Sequence, residues 1–244
     1  MEILKQLEEL KNRLEENKDD FVITMLLEDK IKEIEKQLKK KKKKRVTNRE
    51  IKYLTNDEFT RLLDSFEEAE QIFLEDKKKQ SFKFYKRDKL IFLLAYECGL
   101  RASEVSNLRK DDFHEKSKEL FCRRLKGSRN NTIRLTSKTA KKLKEYLEIN
   151  GEGNNIFLSR KGTPLSRQHL TRLCKKYFEL ADIPKEKQHF HTLKHTAGVH
   201  LADYGLDIKE VQYILGHRNV ENTMIYFDFT SKQQDTLYAK LGRN

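Results

Sequence analysis

His191–Tyr226 reads HTLKHTAGVHLADYGLDIKEVQYILGHRNVENTMIY, and the rest of the chain is organised around it. His191 and Lys194 stand at i and i+3, so a helix over this stretch presents both on one face. A second amphipathic run, Ile208–Leu215, has apolar residues at 208, 211, 214 and 215 and stops at Gly216, the residue type that commonly follows a helix C-terminus. His217 comes next. Tyr226 lies nine residues further on, after Asn219, an N-cap candidate for a short helix. Two imidazoles, an ammonium and a phenol, each beside a turn or a helix end, are placed to converge on one anionic group. Taken singly, each is a residue type that usually packs or faces solvent. The ordered set carries the meaning.

Composition fits that reading. The 244 residues suffice for one large domain or two modest ones. Charged residues make up 37% and hydrophobic ones 36%, and the formal net charge of +13 favours a polyanionic partner. Charge alone does not separate ribosomal, membrane-surface and DNA-acting proteins. No apolar run approaches the roughly 20 residues of a helical membrane span, so no membrane partner is expected, and the N-terminus MEILKQLEEL lacks the pattern of a secretory signal. Cys98, Cys122 and Cys174 are widely spaced without a C-x-x-C pair, which argues against disulfides and a zinc site and for a reducing, cytoplasmic setting.

Along the chain, residues 1–47 read as an α-helical, coiled-coil-like hairpin with a basic linker, and residues 48–244 as the main domain. Ile3, Leu7, Leu10 and Leu14 follow heptad spacing, and Leu27, Ile31, Ile34 and Leu38 repeat it across the polar break Glu16–Asp20. Residues 1–38 hold seven basic and eleven acidic residues, a net of −4 that leaves +17 on the remainder. The hairpin is therefore not the expected polyanion surface. Lys39–Arg45 is an unbroken basic run, a solvated linker or a phosphate-contacting strap. Thr55 and Glu58 fit a capping box opening a helix through Phe66. A lysine-rich connection, Asp76–Lys83, precedes the apolar helix Lys89–Glu97, which Gly99 ends. Arg101 then falls in an inter-helix corner, as a brace or a phosphate ligand; position alone favours the brace. Leu120–Leu125, Gly127–Asn131 and Thr132–Leu135 read strand, turn, strand, with Lys126 at the mouth of the hairpin. Ser137–Ile149 reads as a helix, Asn154–Ser159 as a short strand-like segment, and Ser166–Leu180 as a basic helix. The tail holds a candidate helix, Lys232–Leu241. The fold class is mainly α with a small antiparallel β-hairpin or sheet, α+β.

With Arg101, Lys126, His191, Lys194, His217 and Tyr226 in that order, the chain resembles the tyrosine recombinase (phage integrase, Xer-like) family. The matching phrases are CGLRASEV, LKGSRNN, HTLKHTAGVHL, LGH and the nine-residue step to IY, and the likeness runs from about Tyr53 to the C-terminus. The resemblance implies site-specific cutting and rejoining of double-stranded DNA by a homo-oligomer, a tetramer on paired sites, without metal or nucleotide cofactor. It implies Tyr226 as the nucleophile that forms a 3′-phosphotyrosine and Lys126 as the acid for the 5′-oxygen. His191 would be the base or proton shuttle, Arg101 and His217 would hold the non-bridging oxygens, and Glu104 would orient Arg101.

The chemistry agrees with those roles. A phenol with a pKa near 10 needs a neighbour to take its proton, and imidazole, near 6.5, can do so. Preorganised cations stabilise the charge gathering on phosphate in the transition state. Two departures from the family pattern stand out. Lys194 replaces the arginine of His-x-x-Arg, keeping the charge while losing the bidentate fork. The N-terminal hairpin is about half the size of the family's DNA-clamping domain. Two other readings remain: a catalytically impaired DNA-binding protein of the same fold, and an enzyme like type IB topoisomerases or telomere resolvases, which share the chemistry.

Overall fold

The computed structural model describes residues 2–16, 27–28, 30–35, 51–75, 79–149, 153–159, 161–227, 238–239 and 242. The chain divides into two compact units, Met1–Glu50 and Ile51–Asn244. In the first, α1 spans Glu2–Glu16, and residues 27–28 and 30–35 are also helical. Leu7, Leu10 and Leu14 are half-buried along α1, and Leu27 and Ile31 are each 9% exposed, as the heptad spacing requires. Lys11 and Glu35 join the two helical stretches at 3.4 Å. Both side chains are well exposed, so the leucines and isoleucines hold this pairing more than the ion pair does. Most of the polar break, the basic run Lys39–Arg45 and most of the tail helix lie outside the described residues.

In the second unit, α2 (Asn56–Glu75) opens with the expected capping box. Glu58 N donates to Thr55 Oγ1 (3.2 Å), and Thr55 N donates to Glu58 Oε2 (2.8 Å). Helix α3 runs Lys79–Glu97. Most of the lysine-rich segment read as a connection is therefore helix, because Lys and Gln are good helix formers and no Gly or Pro interrupts them. The helix closes in a Schellman arrangement: Gly99 N donates to Tyr96 O, Leu100 N donates to Ala95 O, and Gly99 sits at φ +56°. A short helix α4 (Ala102–Ser106) follows at once.

Three antiparallel strands come next, β1 (Phe113–His114), β2 (Glu119–Cys122) and β3 (Asn131–Arg134), in the order β1-β2-β3. The register pairs Leu120 with Ile133 and Cys122 with Asn131. β1, two residues long, has no readable alternation. β2 stops at Cys122, short of the expected Leu125, because Arg124 leaves the ladder: its N–H donates to Asn130 Oδ1 at 2.8 Å and its side chain turns inward. The segment read as strand-like, Asn154–Ser159, forms only the isolated bridges Arg109↔Asn155 and Leu158↔Pro164. Its apolar pair Ile156 and Phe157 is fully buried as a core plug, which is why the composition resembled a strand.

Helices α5 (Ser137–Ile149), α6 (Arg167–Leu180), α7 (Phe190–Tyr204), α8 (Ile208–Leu215) and α9 (Glu221–Met224) follow. Phe66, Phe92, Tyr177, Phe178 and Phe190 form an aromatic cluster at the core, with Phe66 stacked on Tyr177 at 4.1 Å. All three cysteines are free and buried. Among the described residues, no helix is long and apolar enough to cross a membrane.

Candidate active site

Arg101 is held before any ligand arrives. Its backbone N–H donates to Glu104 Oε2 (2.9 Å), and its Nη1 donates to Glu104 Oε1 (2.8 Å) and Ser128 Oγ (3.0 Å). Glu104 is 1% exposed. Burial disfavours its charge, but the Arg101 and Leu125 N–H groups, the Arg101 guanidinium and the nearby Lys194 ammonium outweigh that and keep the carboxyl below its ordinary pKa. Lys126 and Gly127 sit at φ +57° and +75°, and Ser128 N donates to Leu125 O, as a type I′ turn requires. That turn leaves Lys126 exposed on the wall of a cleft. Arg101, Arg167, Thr171, His189 and His191 line the same cleft.

His191 and His195, one turn apart on α7, pack edge to face with ring centroids at 4.3 Å. His195 Nδ1 lies 3.0 Å from the Tyr226 hydroxyl. The Tyr226 ring is 3% exposed, and its face lies nearly parallel to His217, at 14° with centroids 6.3 Å apart. The ring rests on Gly198, where a Cβ would come within 2.7–2.8 Å of three ring atoms. His217 is fixed at both ends. Its N–H closes the Schellman cap of α8 onto Gln212 O (3.0 Å), and its Nδ1 lies 3.0 Å from Thr223 Oγ1. The cap needs Gly216 at φ +66°, and a Cβ there would meet Arg124 Nε at 2.7 Å. The α9 cap falls at Val220, one residue beyond the expected Asn219.

Electrostatics keeps the imidazoles neutral. Burial, then the charges of Lys194, Arg101 and Lys126, push His191 down to about 4. Burial with His191 and Lys194 takes His195 to about 4, and burial with Lys194, Arg101 and Arg124 takes His217 to about 3. Burial raises the Tyr226 phenol. At neutral pH these imidazoles therefore carry a free nitrogen lone pair, while the same burial makes the Tyr226 phenol harder to ionise at rest.

The structure thus gathers Arg101, Lys126 and His191 at the cleft, and sets Tyr226 and His217 one layer in, reached through His195. Lys194 stands apart: it is fully buried, and its Nζ donates to Gly99 O (2.7 Å) and Leu215 O (2.6 Å). Sequence reading passed over two residues. His195 was available as the i+4 neighbour of His191. Arg124 was not: it is wholly buried and bonds Gly99 O, Cys98 O, Ile214 O and Asn131 Oδ1, partners that only the fold brings together.

The fold is that of tyrosine recombinase catalytic domains. XerH bound to a palindromic difH substrate matches 80% of this chain and 55% of its own, with a TM-score of 0.66 at 23% identity. The Tn1549 transposon integrase in complex with a circular intermediate DNA matches 98% and 85%, at 0.62 and 19%. The chain belongs to the phage integrase family, whose model matches residues 52–233. A tyrosine recombinase of Pseudothermotoga lettingae is 34% identical over 155 residues, 64% of this chain and 54% of that protein. The type 1 fimbriae regulatory protein FimB of Escherichia coli K12 is 37% identical over 145 residues, 57% and 72% respectively. The chain spans about half the length of the first of these relatives.

Proposed function

We propose that the protein is a tyrosine-type site-specific recombinase that cuts and rejoins double-stranded DNA inside the cell, as a tetramer on paired sites. The observation that carries this reading is the linkage of the Tyr226 phenol, through neutral His195, to His191 on the wall of a cleft that also presents Arg101 and Lys126. The net charge of +13 suits the polyanion.

In the first step the Tyr226 oxygen attacks the scissile phosphorus. Its O–P bond forms as the bond to the 5′-oxygen breaks. The phenolic proton passes to imidazole, with His195 the resting partner and His191 the shuttle at the cleft. The Lys126 ammonium, on its exposed turn, protonates the departing 5′-oxygen. Arg101, held by Glu104, binds a non-bridging oxygen. As Tyr226 leaves its buried seat, the His217 ring it covers is freed to bind another. The 3′-phosphotyrosine conserves the phosphodiester energy, and a 5′-hydroxyl from a partner strand reverses the step, so the balance needs neither nucleotide nor metal.

Nicked suicide duplexes tiled across the DNA flanking the gene test this. A covalent protein–DNA adduct on denaturing gels is expected from the native protein and not from Tyr226→Phe. Adduct retained by the Phe protein would remove Tyr226 as nucleophile.

A further inference from the structure

Where the family motif carries an arginine, the side chain of this protein is sealed from solvent. Lys194 has 0% exposure, and its ammonium is occupied by two backbone carbonyls, Gly99 O at 2.7 Å and Leu215 O at 2.6 Å. Both carbonyls belong to helix ends. Gly99 follows the last turn of α3 and Leu215 is the last residue of α8, where orphan carbonyls and the helix dipole favour a cation. Each lies two residues before a site residue, Arg101 and His217. The two turns also press directly on each other, since a Cβ on Gly99 would collide with Leu215 Cδ2. Arg124 binds the same pair of turns from the hairpin side, through Gly99 O, Cys98 O and Ile214 O. Arg129 N donates to Gly216 O.

We propose that Lys194 is a positioning residue whose ammonium clamps the turn carrying Arg101 to the turn carrying His217 from beneath the cleft, without contacting the DNA phosphate. A compact ammonium fits between two carbonyls converging on one point, where a planar guanidinium needs a wider seat. Burial, then the neighbouring Arg124 and Arg101, push the Lys194 pKa well below its ordinary value despite Glu104, so the two carbonyl hydrogen bonds, and no carboxylate partner among the described residues, hold the side chain in place.

Two measurements on Lys194→Met separate this from a phosphate contact. The first is independent of the recombinase reading: the salt dependence of binding to a fluorescein-labelled duplex of arbitrary sequence. A lost phosphate contact lowers the slope of log K against log salt by about one. Lys194→Met is expected to keep the native slope, while Arg101→Ala loses that increment; an equal loss in Lys194→Met overturns the proposal. The second rests on the recombinase reading and uses a nicked duplex that traps the native protein. Lys194→Met is expected to slow adduct formation about a hundredfold, because displaced site groups misalign the reaction. A methylphosphonate at the scissile position, which removes the charge a phosphate ligand would neutralise, is expected not to rescue it. Rescue there overturns the proposal, whereas absence of any native adduct sinks only the recombinase reading. If thermal melting shows that the Met protein does not fold, Lys194→Arg, which keeps the charge, is read by adduct rate alone. Its rate is expected to fall, and a rate equal to or above the native one overturns the clamp.

Discussion

Replacing Glu104 by Gln removes one charge while conserving shape, and the surroundings set the size of the effect. The Glu104 carboxylate accepts from Arg101 N, Arg101 Nη1, Leu125 N and, at 3.5 Å, Arg124 Nη1, with the Arg124 and Glu104 side chains both at 0% exposure. A carboxamide presents one oxygen and one NH2. If the NH2 takes the Oε1 place it faces Arg101 Nη1 and Leu125 N; at Oε2 it faces Arg101 N and Arg124 Nη1. Either way two donors meet a donor, and a fully buried guanidinium loses its only anionic neighbour among the described ion pairs. Breaking a buried pair from one side costs about 3–5 kcal/mol, a large share of the roughly 5–15 kcal/mol that holds a domain folded. At about 2–4 °C per kcal/mol for a domain of this size, Glu104→Gln is expected to melt roughly 6–20 °C below the native protein. The pH dependence gives a second check. The folded pKa of Glu104 lies below its unfolded value, so its contribution is complete above the unfolded pKa, near 4.5, and fades as pH falls through the folded one. The difference between native and Gln proteins should therefore be constant from neutral pH down to about 5 and shrink below 4.5. A loss under about 1 kcal/mol by urea titration, or a gap that does not narrow in acid, refutes the reasoning.

Gly198→Ala places a methyl against the Tyr226 ring and, as overpacking, is expected to disfavour the seated tyrosine by about 1–3 kcal/mol. Faster nitration of Tyr226 by tetranitromethane, read by peptide mass, checks it, and an unchanged rate contradicts it. Thr55→Ala removes the hydroxyl that caps α2 and should cost about 1 kcal/mol in urea denaturation, with Thr55→Ser restoring it. His195 has a folded pKa near 4 against an ordinary 6.5, so the unfolded chain binds its proton first. Stability is expected to fall as pH drops from 6.5 toward 4 and to level below that for this group, and His195→Asn should flatten that part of the profile.

How far the sequence reaches depends on whether a residue's role is local. The capping box at Thr55, the helix Ser137–Ile149 and the stop of α8 at Gly216 were all legible, because each is decided by residues within one or two turns of itself. β1, the early exit of β2 and the collapse of Asn154–Ser159 into a core plug were not. Each turns on a partner far along the chain: Arg124 reaching Gly99, or Ile156 N donating to Leu108 O. The site divides the same way. The order Arg101, Lys126, His191, His217, Tyr226 could be written down from the chain, and the family resemblance also implied that Glu104 orients Arg101, whose Nη1 donates to it. That Lys194 points into the protein could not. At i+3 from His191 it was expected on the same face, yet the imidazole opens to the cleft while the ammonium runs beneath it. Three positions on a helix differ by about 60° in direction, enough to separate a wall from a floor when the helix lies along the cleft. Periodicity says which residues are neighbours, and only the carbonyls of Gly99 and Leu215 say what the lysine is for.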